Sequence, residues 1–124
     1  MQSQKFSVGN RLKSLAYAIA GIVEFIRQEH NARIHAVATV AVIIAGFVFR
    51  VSLPEAAILA IVTGGVWITE MLNTCVEKVM DFVHPEEHPS IKFIKDLAAG
   101  AVLVAALTAV VVGLLIILPK LRLS

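Results

Sequence analysis

The chain has 124 residues, 58% of them hydrophobic and only 16% charged, with a formal net charge of +2. A typical soluble domain carries about 25% charged residues, and a small one has proportionally more surface to coat, so this composition argues against a soluble globule and for lipid as the solvent. The charge is too small to imply a nucleic-acid partner, and the lone cysteine, Cys75, leaves no intrachain disulfide and no cysteine-rich metal cluster.

In chain order, Phe6, Leu12, Leu15, Ala16, Ile19, Ile22, Val23 and Ile26 recur at helical spacing, with Lys5, Arg11, Lys13, Glu24 and Arg27 largely between them. The pattern predicts an amphipathic helix over about 5–29, lying on a membrane surface. No short apolar stretch followed by a small-residue cleavage site marks this region as a removable signal.

Three uncharged runs follow, at 36–49, 56–69 and 97–119. A membrane-spanning helix needs about 20 residues. The third run suffices alone. The first is short unless it recruits residues 31–35, and the second must run through Glu70 and beyond. The predicted spans are therefore about 31–50, 54–83 and 92–118, and the first two carry polar residues at one end. Pro54 sits where a helix start tolerates it. The stretch His84-Pro85-Glu86-Glu87-His88-Pro89-Ser90 predicts a loop, because both prolines disfavour continued helix. No internal repeat divides the chain, so 1–124 reads as a single all-α membrane domain.

Basic residues set the expected orientation. Lys5, Arg11, Lys13, Arg27 and Arg33 precede the first span, and Lys78, Lys92 and Lys95 flank the 84–95 loop. Fewer lie at the other end: Arg50, Lys120 and Arg122. The N-terminus and the 84–95 loop are expected in the cytoplasm.

The second span carries an energetic anomaly. Glu70, Asn73, Glu77 and Asp81 are spaced three, four and four, which at 100° per residue confines them to about a quarter of the helix circumference. Their neighbours are mostly apolar. A carboxylate at the centre of a membrane helix costs about 2.5–3.5 kcal/mol, so this face must meet protein, a cation or water. Arg33, Lys78 and Lys95 are available for purely structural ion pairs. A divalent-cation site is the functional alternative, because carboxylates on one helix joined by another from a neighbouring helix suit a hard ion such as Mg²⁺. Glu29, at the end of the first helix, is the natural third carboxylate. Lys95-Asp96 opens the third span at the same level, and a lysine beside a Mg²⁺ site is what a nucleoside triphosphate requires. There is no phosphate-binding glycine loop, and Gly64-Gly65 reads as a packing feature.

The segment Glu70-Met71-Leu72-Asn73-Thr74-Cys75-Val76-Glu77-Lys78-Val79-Met80-Asp81 resembles the signature of the prokaryotic diacylglycerol kinase and undecaprenol kinase family. That signature is a glutamate, an asparagine followed by serine or threonine, a second glutamate and an aspartate, at this spacing. Glu29-His30-Asn31-Ala32-Arg33-Ile34-His35 and Ile94-Lys95-Asp96-Leu97-Ala98-Ala99-Gly100-Ala101-Val102-Leu103 extend the resemblance over nearly the whole chain. It implies an integral-membrane homotrimer of the bacterial cytoplasmic membrane that transfers the γ-phosphate of ATP to a lipid hydroxyl. It further implies Glu70 as catalytic base, Glu29 and Glu77 as Mg²⁺ ligands, and Lys95 on the phosphates. By the same resemblance Asp96, Asp81 and Asn73 would orient the site, Arg11, Tyr17, Glu86 and His88 would lie near the nucleotide together with Glu29, Glu77 and Asp96, and Arg33 and Ala99 would join Glu70 on the lipid side. Thr74, the 31–35 run and Ala99-Gly100-Ala101 look more like the undecaprenol branch than the diacylglycerol branch.

Blander readings stand beside these. Tyr17 fits an interfacial aromatic, His88 a solvated loop residue, His30 and His35 interfacial polar residues, and Cys75 and Trp67 packing residues. A small cation or proton transporter is the competing function, since acidic residues among short membrane helices also suit proton relays. A non-enzymatic assembly subunit is a third.

Overall fold

The computed structural model describes residues 5–122. Among them lie four helices: α1 (Val8–Gln28), α2 (His30–Val48), α3 (Leu53–Val83) and α4 (Pro89–Leu121). The last three are long and apolar enough to cross a membrane.

Each boundary has a local cause. Ser7 caps α1 by accepting from the Asn10 N–H (3.4 Å). Only Glu29, in extended conformation, separates α1 from α2. Arg33 stabilises this corner: its Nε donates to Ile26 O (3.2 Å) and another guanidinium N–H to Arg27 O, satisfying carbonyls that the end of α1 leaves open. Beyond α2, Arg50 adopts a positive φ of 52° and the Val51 N–H returns to Gly46 O (3.1 Å). Ser52 and Glu55 then open α3 with a capping box.

The loop into α4 is shorter than the sequence pattern predicts. Pro85 does break the chain, but Pro89 is the first residue of α4 rather than part of the loop, because a proline at a helix start surrenders an N–H that had no partner anyway. At its far end α4 continues through Pro119 to Leu121, slightly beyond the predicted 118.

α3 is the central element. It packs mainly against α4 and more lightly against α2, while α1 touches α2. Ion pairs clasp α3 to α4 at both ends, Lys95–Asp81 (2.8 Å) and Lys120–Glu55 (2.9 Å). Phe25 of α1 meets Trp67 of α3 edge-to-face, with ring centroids 6.3 Å apart. Large apolar side chains such as Phe47 and Phe82 are exposed, as expected where hydrocarbon replaces water.

α3 and α4 are longer than a membrane crossing requires. At about 1.5 Å per residue, the 31 residues of α3 and 33 of α4 extend about 46 and 50 Å, well beyond a hydrocarbon core of about 30 Å. Counting about 20 residues from Leu53 reaches the neighbourhood of Glu70 and Asn73. Glu77 and Asp81 lie beyond a stretch of that length in α3, as Lys95 and Asp96 lie beyond one counted back from Leu121 in α4.

Candidate active site

The acidic face of α3 divides into two environments. At its deeper end Glu70 is almost fully buried, with 3% of its surface exposed. The start of α2 buries it: Asn31 Nδ2 donates to Glu70 Oε1 (3.3 Å) and His35 Nε2 lies 3.4 Å from Oε2. One turn along α2, the Thr39 hydroxyl donates to the His35 backbone carbonyl (2.7 Å) and accepts from Trp67 Nε1 of α3 (2.8 Å). Periodicity alone left His35 and Trp67 as interfacial and packing residues. Their polar partners lie on another helix, and no local signal in the sequence names them.

One turn on, Asn73 is also buried, at 7% exposure. Its Nδ2 donates to Glu77 Oε1 (3.4 Å), whereas its Oδ1 is buried without any hydrogen-bond partner. Glu29 comes to this level through Lys78, whose Nζ lies 3.6 Å from Glu29 Oε1, so the α1–α2 corner adjoins the Glu77 turn. Among the described residues, no three acidic, histidine or cysteine side chains converge into a ready-made metal cage. Mg²⁺ does not require one: it commonly takes one or two carboxylates and completes its shell with phosphate oxygens and water. The donors here are hard oxygens, including the unpartnered Asn73 Oδ1, and they fit such an ion.

Beyond the helix ends lies a cavity of about 580 Å³ whose lining includes Asp81, Glu86, His88, Lys95 and Asp96. These are five of the residues expected at the nucleotide and its surroundings, drawn together from α3, the loop and α4. His84 and Lys92 line the same cavity and had drawn no functional reading from the motif. Each lysine holds an aspartate, Lys95 with Asp81 and Lys92 with Asp96.

Beside His35, toward the middle of the helices, lies a second cavity, of about 430 Å³ and overwhelmingly apolar. It runs from His35 and Trp67 to Gly113 and Ile117, between α2, α3 and α4. Arg11 and Tyr17 stand apart from both cavities, exposed on α1, with the Arg11 guanidinium 5.7 Å from the centre of the Phe6 ring. Arg33 is engaged with the α1 carbonyls. Ala99 is exposed on α4, and Cys75 is exposed on α3.

With this arrangement in view, the relatives are informative. The profile of the family "Prokaryotic diacylglycerol kinase" matches residues 16–117. An undecaprenol kinase of Bacillus subtilis is 44% identical over 109 residues, covering 88% of this chain and 89% of the relative. A diacylglycerol kinase of Synechocystis is 42% identical over 113 residues, covering 90% of this chain and 65% of the relative. One from Pseudomonas aeruginosa is 33% identical over 94 residues, 76% of each chain. The match takes in all three apolar helices, the α1–α2 corner and both cavities, and the chain belongs to the prokaryotic diacylglycerol kinase family of membrane lipid kinases.

Proposed function

We propose that the protein transfers the γ-phosphate of Mg²⁺-bound ATP to the primary hydroxyl of a membrane lipid, with undecaprenol as the preferred acceptor and diacylglycerol as the second candidate. The observation that carries this reading is Glu70, a carboxylate buried at the edge of the hydrocarbon and held by Asn31 and His35. A lipid hydroxyl arrives at that depth. Glu70 accepts its proton as the oxygen bonds to the γ-phosphorus; the bond to the β-phosphate oxygen breaks and ADP leaves. The apolar cavity beside His35 supports an acceptor with a hydrocarbon tail.

Glu29 and Glu77 are the residues to hold Mg²⁺, which supplies charge neutralisation between the phosphates. Lys95 contacts the phosphates, while Asp96, Asp81 and Asn73 orient the site. Glu86 and His88 bound the nucleotide in the loop cavity; Arg11 and Tyr17, outside that cavity in the single chain, are assigned to the nucleotide from the resemblance alone. Arg33 and Ala99, which do not line the apolar cavity, are assigned to the lipid side from the resemblance alone. Thr74 and the two small-residue and polar runs around Asn31 and Ala99 support the undecaprenol branch, as does the 44% identical relative.

The protein is proposed to be a homotrimer of the bacterial cytoplasmic membrane, with the N-terminus and 84–95 loop in the cytoplasm. The excess of basic residues at that end supports the orientation. α1 is proposed to lie along the membrane surface, which would cover Leu12, Leu15 and Ile19, more than half exposed in the single chain.

The test is a side-by-side assay. Purified protein in detergent micelles receives γ-labelled ATP with undecaprenol or diacylglycerol, with and without Mg²⁺. Label on undecaprenol at the higher kcat/KM, only with Mg²⁺, is expected. A higher kcat/KM on diacylglycerol would reverse the assignment of the acceptor, and label on no lipid would overturn the reading altogether.

A further inference from the structure

The loop cavity contains two imidazoles whose protons are fixed by their partners. His84 Nδ1 lies 2.7 Å from Glu86 O. A carbonyl only accepts, so Nδ1 carries the proton, and in the neutral ring Nε2 is left as a lone-pair acceptor. His88 is the opposite case. Its Nδ1 accepts from the Ser90 N–H (3.1 Å) at the start of α4, so its proton sits on Nε2, a donor. The two rings meet edge-to-face with centroids 5.7 Å apart, and both line the cavity. Between them they offer one acceptor and one donor, each ring held by backbone rather than by a mobile side chain.

An adenine edge is the complement of that pair: a ring-nitrogen acceptor, N7, next to an exocyclic amino donor. The corresponding guanine edge offers two acceptors and leaves the His84 lone pair unmatched. We infer that His84, paired with His88, is a nucleobase-binding residue that accepts a hydrogen bond from the exocyclic amino group of adenine and so favours ATP over GTP. This rests on the loop cavity being the nucleotide site. In that arrangement His88 Nε2–H donates to N7, and the phosphates extend toward Lys95.

The experiment compares KM for ATP with KM for purine riboside triphosphate, which lacks only the exocyclic amino group, at saturating lipid. His84→Asn is the informative variant, because its amide can still donate to Glu86 O and hold the loop while Nε2 is lost. It is expected to raise KM for ATP about three- to tenfold, the range of a single hydrogen bond. KM for the analogue, KM for the lipid and kcat stay unchanged. His84→Ala, which loses the loop contact as well, raises KM for both nucleotides. If His84→Asn raises both nucleotide KM values alike, His84 only supports the loop and the inference fails; if it raises neither, the inference also fails. His88→Ala separates this from the premise. Unchanged KM for ATP in that variant would remove the nucleotide site itself, whereas a raised KM there with no effect at His84 would overturn the base contact alone.

Discussion

Glu70 Oε2 lies 3.4 Å from His35 Nε2, although 35 residues separate them in the chain. The contact crosses from α3 to α2 and, with Asn31, supplies the side-chain partners of a buried carboxylate. A hydrogen bond to a charged group contributes about 1.5–3 kcal/mol. His35→Ala should therefore lower kcat about tenfold or more while leaving KM for ATP unchanged. His35→Gln, which retains a donor at similar reach, should recover most of the loss. Steady-state kinetics with lipid and ATP varied separately checks this, and an effect confined to KM for ATP would contradict it.

Glu70→Gln preserves the shape of the residue and both α2 neighbours but removes the base. General-base contributions are about 10²- to 10⁴-fold, so turnover should fall by that much. Nucleotide affinity, read by equilibrium binding of a non-hydrolysable ATP analogue, should stay within about twofold of wild type, well inside the tenfold that about 1.4 kcal/mol represents.

Glu29, at the corner between α1 and α2, lies beside the Glu77 turn of α3, where Lys78 holds it. Glu29→Gln and Glu77→Gln should each weaken binding of the analogue in the presence of Mg²⁺. They should leave its much weaker binding in EDTA unaltered. Titrations at several Mg²⁺ concentrations would show the midpoint moving upward in both variants. Identical Mg²⁺ dependence in wild type and variants would rule out a role on the metal.

Asn73 Oδ1 is buried with no partner, a cost to the fold. Replacing such a group by an apolar one of similar size can be neutral for stability. Asn73→Leu is therefore expected to unfold within about 1 kcal/mol of wild type in denaturant titrations in micelles, yet to lose most of its turnover. A large loss of stability would assign Asn73 to the fold instead of the site.

Arg50 holds a left-handed backbone conformation, φ 52°, between α2 and α3. A residue with a Cβ is strained there and glycine is not. Arg50→Gly should stabilise the protein by about 0.5–1 kcal/mol, seen as a small rise in Tm in micelles. Activity should be unchanged, because the turn lies at the opposite end of α3 from Glu77. A fall in Tm would show that the arginine side chain makes a compensating interaction.

The three apolar helices, the helix that precedes them and the polar face of α3 can all be read along the chain. These follow from composition, 3.6-residue periodicity and the cost of charge in hydrocarbon, all of which act locally along the chain. The family resemblance was legible for the same reason: its signature lies within one helix, where each polar residue stands out. The tertiary structure alone decided how that face is shared. It gave Glu70 to Asn31 and His35 on α2, and Asp81 to Lys95 on α4. It turned Arg33 back onto the α1 carbonyls and tied Trp67 to Thr39. Such pairings depend on the rotation and axial register of one helix against another, which no periodicity within a single helix encodes. Pro89 illustrates the same limit at a boundary: proline is compatible with a loop or with a helix start, and the cap that His88 makes to the Ser90 N–H selects the helix.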